Sequence, residues 1–454
     1  MNQYIITVAA LGPDDGGMLT FASYEAMERA GYLVLRTARH GVAELLRSRG
    51  IAFDTLDALY EQTEDFDELC ALAAERLIAM ARERDGLCYA VSEPVSDATV
   101  RALAGALPED VALSVIGGVP LAANAASAAL PFGVDTENLR TLTALSLPEH
   151  RPEGDCPQVI TEIDNRCLAG DVKLWLADLF EDEMTVYFLE DASRPGVTAE
   201  PIALCELDRQ AHYDHRTAVL VPAVSVYERS RATFEDFVRV IARLRAPGGC
   251  PWDRAQTFHT LRQYMIEEAC EAAEAMDGDD AMKIADELGD VLLQVVLNSC
   301  IGAEHLAFTD RDVTSLAARK MITRHEHVFG QATAKDAEAV VSVWERAKKK
   351  ERGEQSALER MEEVPASLPA LMRAQKVIRR QAQASGAEPD AEAARGQAAA
   401  AMQALLQPGA GEGQLGAALE ALCALAQAMG LDAEIALRSA TTRRIERQRE
   451  AEKG

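Results

Sequence analysis

Through the first half of the chain apolar residues come in short runs broken by amphipathic stretches, and through the second half they recur at every third and fourth position. Up to about residue 225, "YIITVAAL", "YLVLRT", "LCYAV" and "VALSVIG" read as strands, with helices at "SYEAMERAG" and from Phe66 to Arg84. A second set follows in "QVITEI", "DVKLWLADLF", "MTVYFL" and "TAVLVP", which predicts two α/β lobes in one unit. Long helical patterns begin at "RATFEDFVRVIARLR" and are broken by "APGGCPWD" and "DGDD", both turn signals. A Lys-rich "AKKKERGEQ" closes this stretch, and Ser356 to Gly454 is Ala- and Gln-rich, with "QPGAGEG" between helices. The expected architecture is multidomain, α/β plus all-α: an α/β domain over 1–228, a helical bundle over 229–354 and a further helical piece over 355–454.

Composition narrows the functional classes. At 454 residues and 48% hydrophobic content there is ample material for several cores. Lys plus Arg number 46 against 73 acids, and the net charge of -27 repels a phosphate backbone, so duplex nucleic acid is not an expected partner. A small polyphosphate stays within reach, because a metal ion and a few local cations override the overall field. Nine scattered cysteines without a C-x-x-C pair indicate neither a disulfide framework nor a thiolate zinc site, and fit a reduced, cytoplasmic protein. No basic region precedes the first apolar run and no stretch reaches membrane-spanning length, so neither export nor a membrane is expected.

The chemistry concentrates in "MIEEACEAAEAMDGDDAMKIADELGDVLLQVVLN", Met265 to Asn298. Glu268 and Glu271 share one helical face, as do Glu287 and Asp290, with Glu267 beside Glu271. The turn at Asp277 to Asp280 makes the two helices antiparallel neighbours and sets the pairs opposite each other. Since "DVLLQVVLN" is apolar nearly all the way round, the second helix reads as buried, and crowded buried carboxylates require a positive partner. A solvated acidic face is the ordinary reading of such spacing, but only Lys283 offers a cation between Glu267 and Asn298. Four or five hard oxygen donors suit Mg²⁺ or Mn²⁺. A di-iron bundle would need Glu-x-x-His motifs, and Glu271 and Asp290 stand where the histidines belong.

Downstream, "ARKMITRHEHVFG" places Arg319, Lys320 and Arg324 within one or two helical turns, and "VWERAKKKE" sets Trp344 four residues before Lys348. Cations at such spacing clamp phosphates, and an indole beside a lysine can cover a base. One internal echo stands out: "DELGDVLLQVVLNSCIGAE" (Asp286 to Glu304) against "GQLGAALEALCALAQAMGL" (Gly413 to Leu431), with Gln414 in place of Glu287 and Ala417 in place of Asp290.

These residues, from "LRAPGGCPWDRAQTFHTLRQYMIEEACEAAEAM" through "DELGDVLLQVV" and "ARKMITRHEHVFG" to "VWERAKKKE", resemble the MazG nucleoside triphosphate pyrophosphohydrolases, all-α Mg²⁺ enzymes marked by E-E-x-x-E followed by E-x-x-D. The resemblance implies metal ligation by Glu268, Glu271, Glu287 and Asp290, a catalytic role for Glu267 or Glu268, nucleotide contacts from Lys320, Arg324, Trp344 and Lys348, a nucleoside triphosphate substrate, and a homodimer. The tail resembles a second, degenerate MazG-like segment without its acids. The first 225 residues resemble the tetrapyrrole methylase fold as fused to MazG in YabN-type proteins, with "VITEIDNRCLAGDVKLWLADLFEDEMTVYFL" the nearest stretch. That fold implies S-adenosylmethionine, yet "LGPDDGGMLT" keeps Gly12 and Pro13 with Asp14 at a usual glycine, and the later turn reads "VSEPVSD" at Ser92 to Pro94, losses that weaken a cofactor site. The competing functional class is a methyltransferase whose helical half serves assembly; a non-catalytic nucleotide sensor or scaffold is a third.

Overall fold

The computed structural model describes residues 4–13, 16–62, 65–330, 335–336, 340, 344, 356–386 and 390–453. The chain divides into two compact units, Met1–Ala307 and Phe308–Gly454.

The first unit opens with five parallel strands, β1 (Tyr4–Ala10), β2 (Tyr32–Leu35), β3 (Asp54–Thr55), β4 (Leu87–Val91) and β5 (Val111–Ile116), in the order β3-β2-β4-β1-β5. Between them run helices α1 (Phe21–Glu28), α2 (Val42–Ser48), α3 (Asp57–Gln62), α4 (Phe66–Glu83) and α5 (Ala98–Gly105). Helices cover both faces, which is why these strands are apolar runs rather than alternating ones. Leu87, Tyr89 and Val91 pack with Leu77 of α4 and Leu103 of α5, while Cys88 and Ala90 pack with Met27 of α1 and Leu46 of α2.

A mixed second sheet follows, β6 (Arg140–Thr143), β7 (Gln158–Thr161), β8 (Thr185–Leu189), β9 (Glu200–Ala203) and β10 (Ala218–Val221), in the order β6-β7-β10-β8-β9. Only β6 and β7 pair in parallel; β10 runs antiparallel to β7 and β8, and β9 antiparallel to β8. The alanines of α6 (Leu121–Ala129) seat against Val159, Leu189 and Leu220, and α7 (Arg166–Leu176) fills the other face against Ile160, Phe188 and Val221. The two-lobed α/β reading therefore holds, with β3, β6 and β9 as strands that the apolar runs did not announce.

An ion-pair knot joins this part to the helices. Thr233 and Asp236 form a capping box that starts α8 (Phe234–Arg245). Asp236 is 2% exposed and meets the Arg229 guanidinium at 2.9 Å and Arg239 at 2.8 Å, while Arg239 also reaches Asp155. Arg229 lies flat on Gly154, where a Cβ would come within 2.2 Å of its Cζ, so glycine is required there for space. The short α9 (Pro251–Ala255) then leads to α10 (Phe258–Ala275) and α11 (Ala281–Glu304), joined by a tight turn whose Asp280 caps α11. The apolar stripe of α8, Phe234, Phe237, Val238, Ile241 and Leu244, packs with Leu261 of α10 and with Val296, Leu297 and Ile301 of α11.

The second unit holds α12 (Asp310–Arg324), α13 (Glu326–Phe329) and the tail helices Ala357–Glu362, Ala370–Ser385, Ala391–Leu405, Glu412–Ala428 and Ala433–Lys453. Helix Glu412–Ala428 packs on both Ala370–Ser385 and Ala391–Leu405, as α11 packs on α8 and α10, so the echo in sequence is an echo in packing. Among the described residues no single helix is long and apolar enough to cross a membrane.

Candidate metal centre

Three of the five acids converge. Thr257 caps α10 and Asp280 caps α11, fixing the register in which Glu268 of α10 stands opposite Glu287 and Asp290 of α11. One carboxylate oxygen from each of Glu268, Glu287 and Asp290 lies within 4.8 Å of the other two. Glu271 and Glu267 are exposed on α10 and do not join that set, yet both act on it through charge. The Glu268 carboxyl is pushed above the usual glutamate range, first by partial burial and then by Asp290, Glu271, Glu267 and Glu287. Among the described residues no ion pair within 4.0 Å engages Glu268, Glu287 or Asp290.

The structure corrects one expectation. Helix α11 is buried only from Gln294 onward; its acid-bearing first half is open, with Leu288 44% and Leu292 38% exposed, Glu287 half-buried and Asp290 exposed. The reason is the reach of α8, whose apolar stripe meets α11 only along its second half. The demand for a positive partner thus comes from crowding of like charges rather than from deep burial.

Hard carboxylate oxygens grouped this closely fit a divalent ion such as Mg²⁺ or Mn²⁺. A second group, Glu153, Asp155 and Cys156, shows what a self-satisfied cluster looks like. There Glu153 pairs with Arg140 at 3.1 Å, Asp155 pairs with Arg239, and burial with Glu153 pushes the Cys156 thiol up to about 11, which keeps it protonated and a poor ligand.

Lys320, Arg324 and Trp344 belong to the second unit. Lys320 and Arg324 lie one turn apart on α12, and the Arg324 guanidinium sits over the Trp344 ring, 5.4 Å from its centroid, so these two nucleotide-contact candidates meet. Lys348 lies outside the described residues, as does Asp14. In the α/β part Gly12 takes the left-handed φ of +74° expected of a glycine turn, and its carbonyl meets His40 Nε2 at 3.1 Å. At the later turn Ser92 stands where the resemblance calls for a glycine, and Glu93 beside it is half-buried, its carboxyl raised by burial and by Glu162. A side chain at Ser92 weakens the close backbone approach that the resemblance assigns to a glycine there. Sequence reasoning missed Gln294, one turn beyond Asp290, whose buried amide oxygen has no hydrogen-bond partner; its only sequence signal was the i, i+4 spacing.

Residues 256–329 match the MazG nucleotide pyrophosphohydrolase domain. The chain is 33% identical over 380 residues to the uncharacterized protein YabN of Bacillus subtilis, covering 82% of this chain and 76% of that protein. It is 35% identical over 223 residues to the nucleoside triphosphate pyrophosphohydrolase of Escherichia coli K12, covering 47% of this chain and 85% of the relative. The Thermotoga maritima nucleoside triphosphate pyrophosphohydrolase/pyrophosphatase MazG is 36% identical over 224 residues, 48% of this chain and 85% of that one. Among solved structures, the uroporphyrin-III-C-methyltransferase of Thermus thermophilus aligns with 48% of this chain and 92% of its own at 17% identity and a TM-score of 0.36. With identities of a third or more over most of these curated relatives' lengths, the chain belongs to the MazG nucleoside triphosphate pyrophosphohydrolase family, in the YabN-type form that joins the helical domain to an N-terminal α/β domain.

Proposed function

We propose that the chain hydrolyses ribo- and deoxyribonucleoside triphosphates to the monophosphate and pyrophosphate in a Mg²⁺-dependent reaction, with Mn²⁺ able to substitute. The observation that carries this reading is the meeting of Glu268, Glu287 and Asp290 within 4.8 Å across two antiparallel helices. These three hold the ion, and Glu271, one turn from Glu268, is the further ligand. When bound, the ion neutralises triphosphate charge and acidifies a bound water. Glu267, exposed beside the cluster and outside it, is the carboxylate left to accept a proton from the attacking water. Lys320, Arg324 and Lys348 offer charge for the phosphates, and Trp344 an aromatic face for the base.

The test is an assay across common and modified triphosphates that separates pyrophosphate from orthophosphate release, run with and without chelator. Glu287→Gln and Asp290→Asn are each expected to slow turnover on the order of 100-fold or more, the loss that follows when several kcal/mol of charge stabilisation is removed. Parent-like rates in both variants would sink the assignment. We further propose a homodimer, supported by exposed apolar side chains on the same helix pair, Ile266, Met282, Leu288 and Leu292. The net charge of -27 supports a small-molecule substrate rather than duplex nucleic acid.

A further inference from the structure

We propose that Gln294 is a positioning residue of the acidic centre: its buried amide oxygen accepts a hydrogen bond from a water held there and so fixes that water and Asp290 relative to each other. The inference rests on the metal-centre reading above.

Three observations meet at this residue. Gln294 is 5% exposed and its Oε1 has no hydrogen-bond partner, an arrangement that a folded protein keeps at a cost. It stands four residues after Asp290 and seven after Glu287, so it continues their stripe along α11, about 6 Å beyond Asp290 by helical rise. A neutral acceptor there can bind a water without adding charge to a cluster already crowded with carboxylates.

The tail supplies an internal control. In the aligned helix Glu412–Ala428, Leu288, Gly289 and Leu292 recur as Leu415, Gly416 and Leu419, whereas Glu287, Asp290 and Gln294 become Gln414, Ala417 and Ala421. That helix packs on two neighbours as α11 does, so the packing itself does not call for an amide. The glutamine has gone where the acids have gone, which ties it to them rather than to the scaffold.

The experiment titrates the full-length protein with Mn²⁺ alone, without nucleotide, reading free ion by electron paramagnetic resonance. Gln294→Met and Gln294→Ala are compared with the parent and with Glu287→Gln. Both Gln294 variants are expected to bind Mn²⁺ about 10- to 100-fold more weakly, the usual cost of losing a residue that orients a metal ligand. The metal-free melting temperature of Gln294→Met is expected not to fall, since an unpaired buried acceptor has been replaced by an apolar chain of similar length. If Gln294→Met does not fold, Gln294→Ala decides. Parent-like affinity in the Gln294 variants beside lost affinity in Glu287→Gln overturns this proposal alone. Parent-like affinity in Glu287→Gln overturns the metal-centre reading itself, and this inference with it.

Discussion

At the scale of single residues, Glu268 carries the charge conflict of the centre. Its carboxyl is raised in the folded chain, by partial burial first and then by four neighbouring acids. A group raised in this way favours the folded state fully below its unfolded value near 4.5, and that contribution is lost as pH rises through the folded value. In chelator, Glu268→Gln is therefore expected to melt above the parent at neutral pH, by roughly 2 °C or less for so open a group, with the gap closing towards pH 4.5. Added Mg²⁺ should reverse the order, raising the parent and leaving the variant. A gap that ignores both pH and Mg²⁺ in a thermal-shift series would count against charge crowding as its cause. The acids themselves were readable in the sequence, because i, i+3 spacing on adjacent helices leaves few other arrangements. Gln294 was not, since an amide inside an apolar run means nothing until its burial and its missing partner are seen.

At the scale of elements, α8 is held to the α/β part by a buried pair, Arg229 with Asp236, the guanidinium side chain being 2% exposed. Burial raises the Asp236 carboxyl, but the Thr233 amide and hydroxyl together with Arg229 outweigh it and hold the group below its usual range. The stability from Asp236 is thus present above its ordinary value of 3.8 and is lost as pH falls below it. Asp236→Ala removes the carboxylate half of the capping box and leaves a buried arginine uncompensated, an expected loss of about 3–5 kcal/mol in denaturant unfolding. Gly154→Ala should weaken the same transition by displacing Arg229. A loss under 1 kcal/mol in both would show that the knot contributes little. Seven of the ten described strands were legible as short apolar runs, whereas β3, β6 and β9, two to four residues long and not uniformly apolar, were not. How far α8 extends along α11 was not: apolar periodicity states which face of a helix wants cover and says nothing of where the cover stops.

At the scale of the whole molecule, the open apolar side chains of α10 and α11, with Met282 77% exposed, support the homodimer. Light scattering on the full chain is expected to give twice the chain mass, and the double variant Met282→Lys, Leu292→Lys to shift it towards the monomer with the fold intact by circular dichroism. A parent already monomeric at micromolar concentration would remove the proposal. The tail bears on a different matter. Its helix Glu412–Ala428 settles between the same kind of neighbours as α11 with neither acid of the matching stripe, Gln414 and Ala417 standing in place of Glu287 and Asp290. An architecture that assembles without those acids does not need an ion as a cornerstone: on the proposed reading, the central bundle is expected to empty and refill as divalent supply changes, with circular dichroism unchanged between chelator and Mg²⁺.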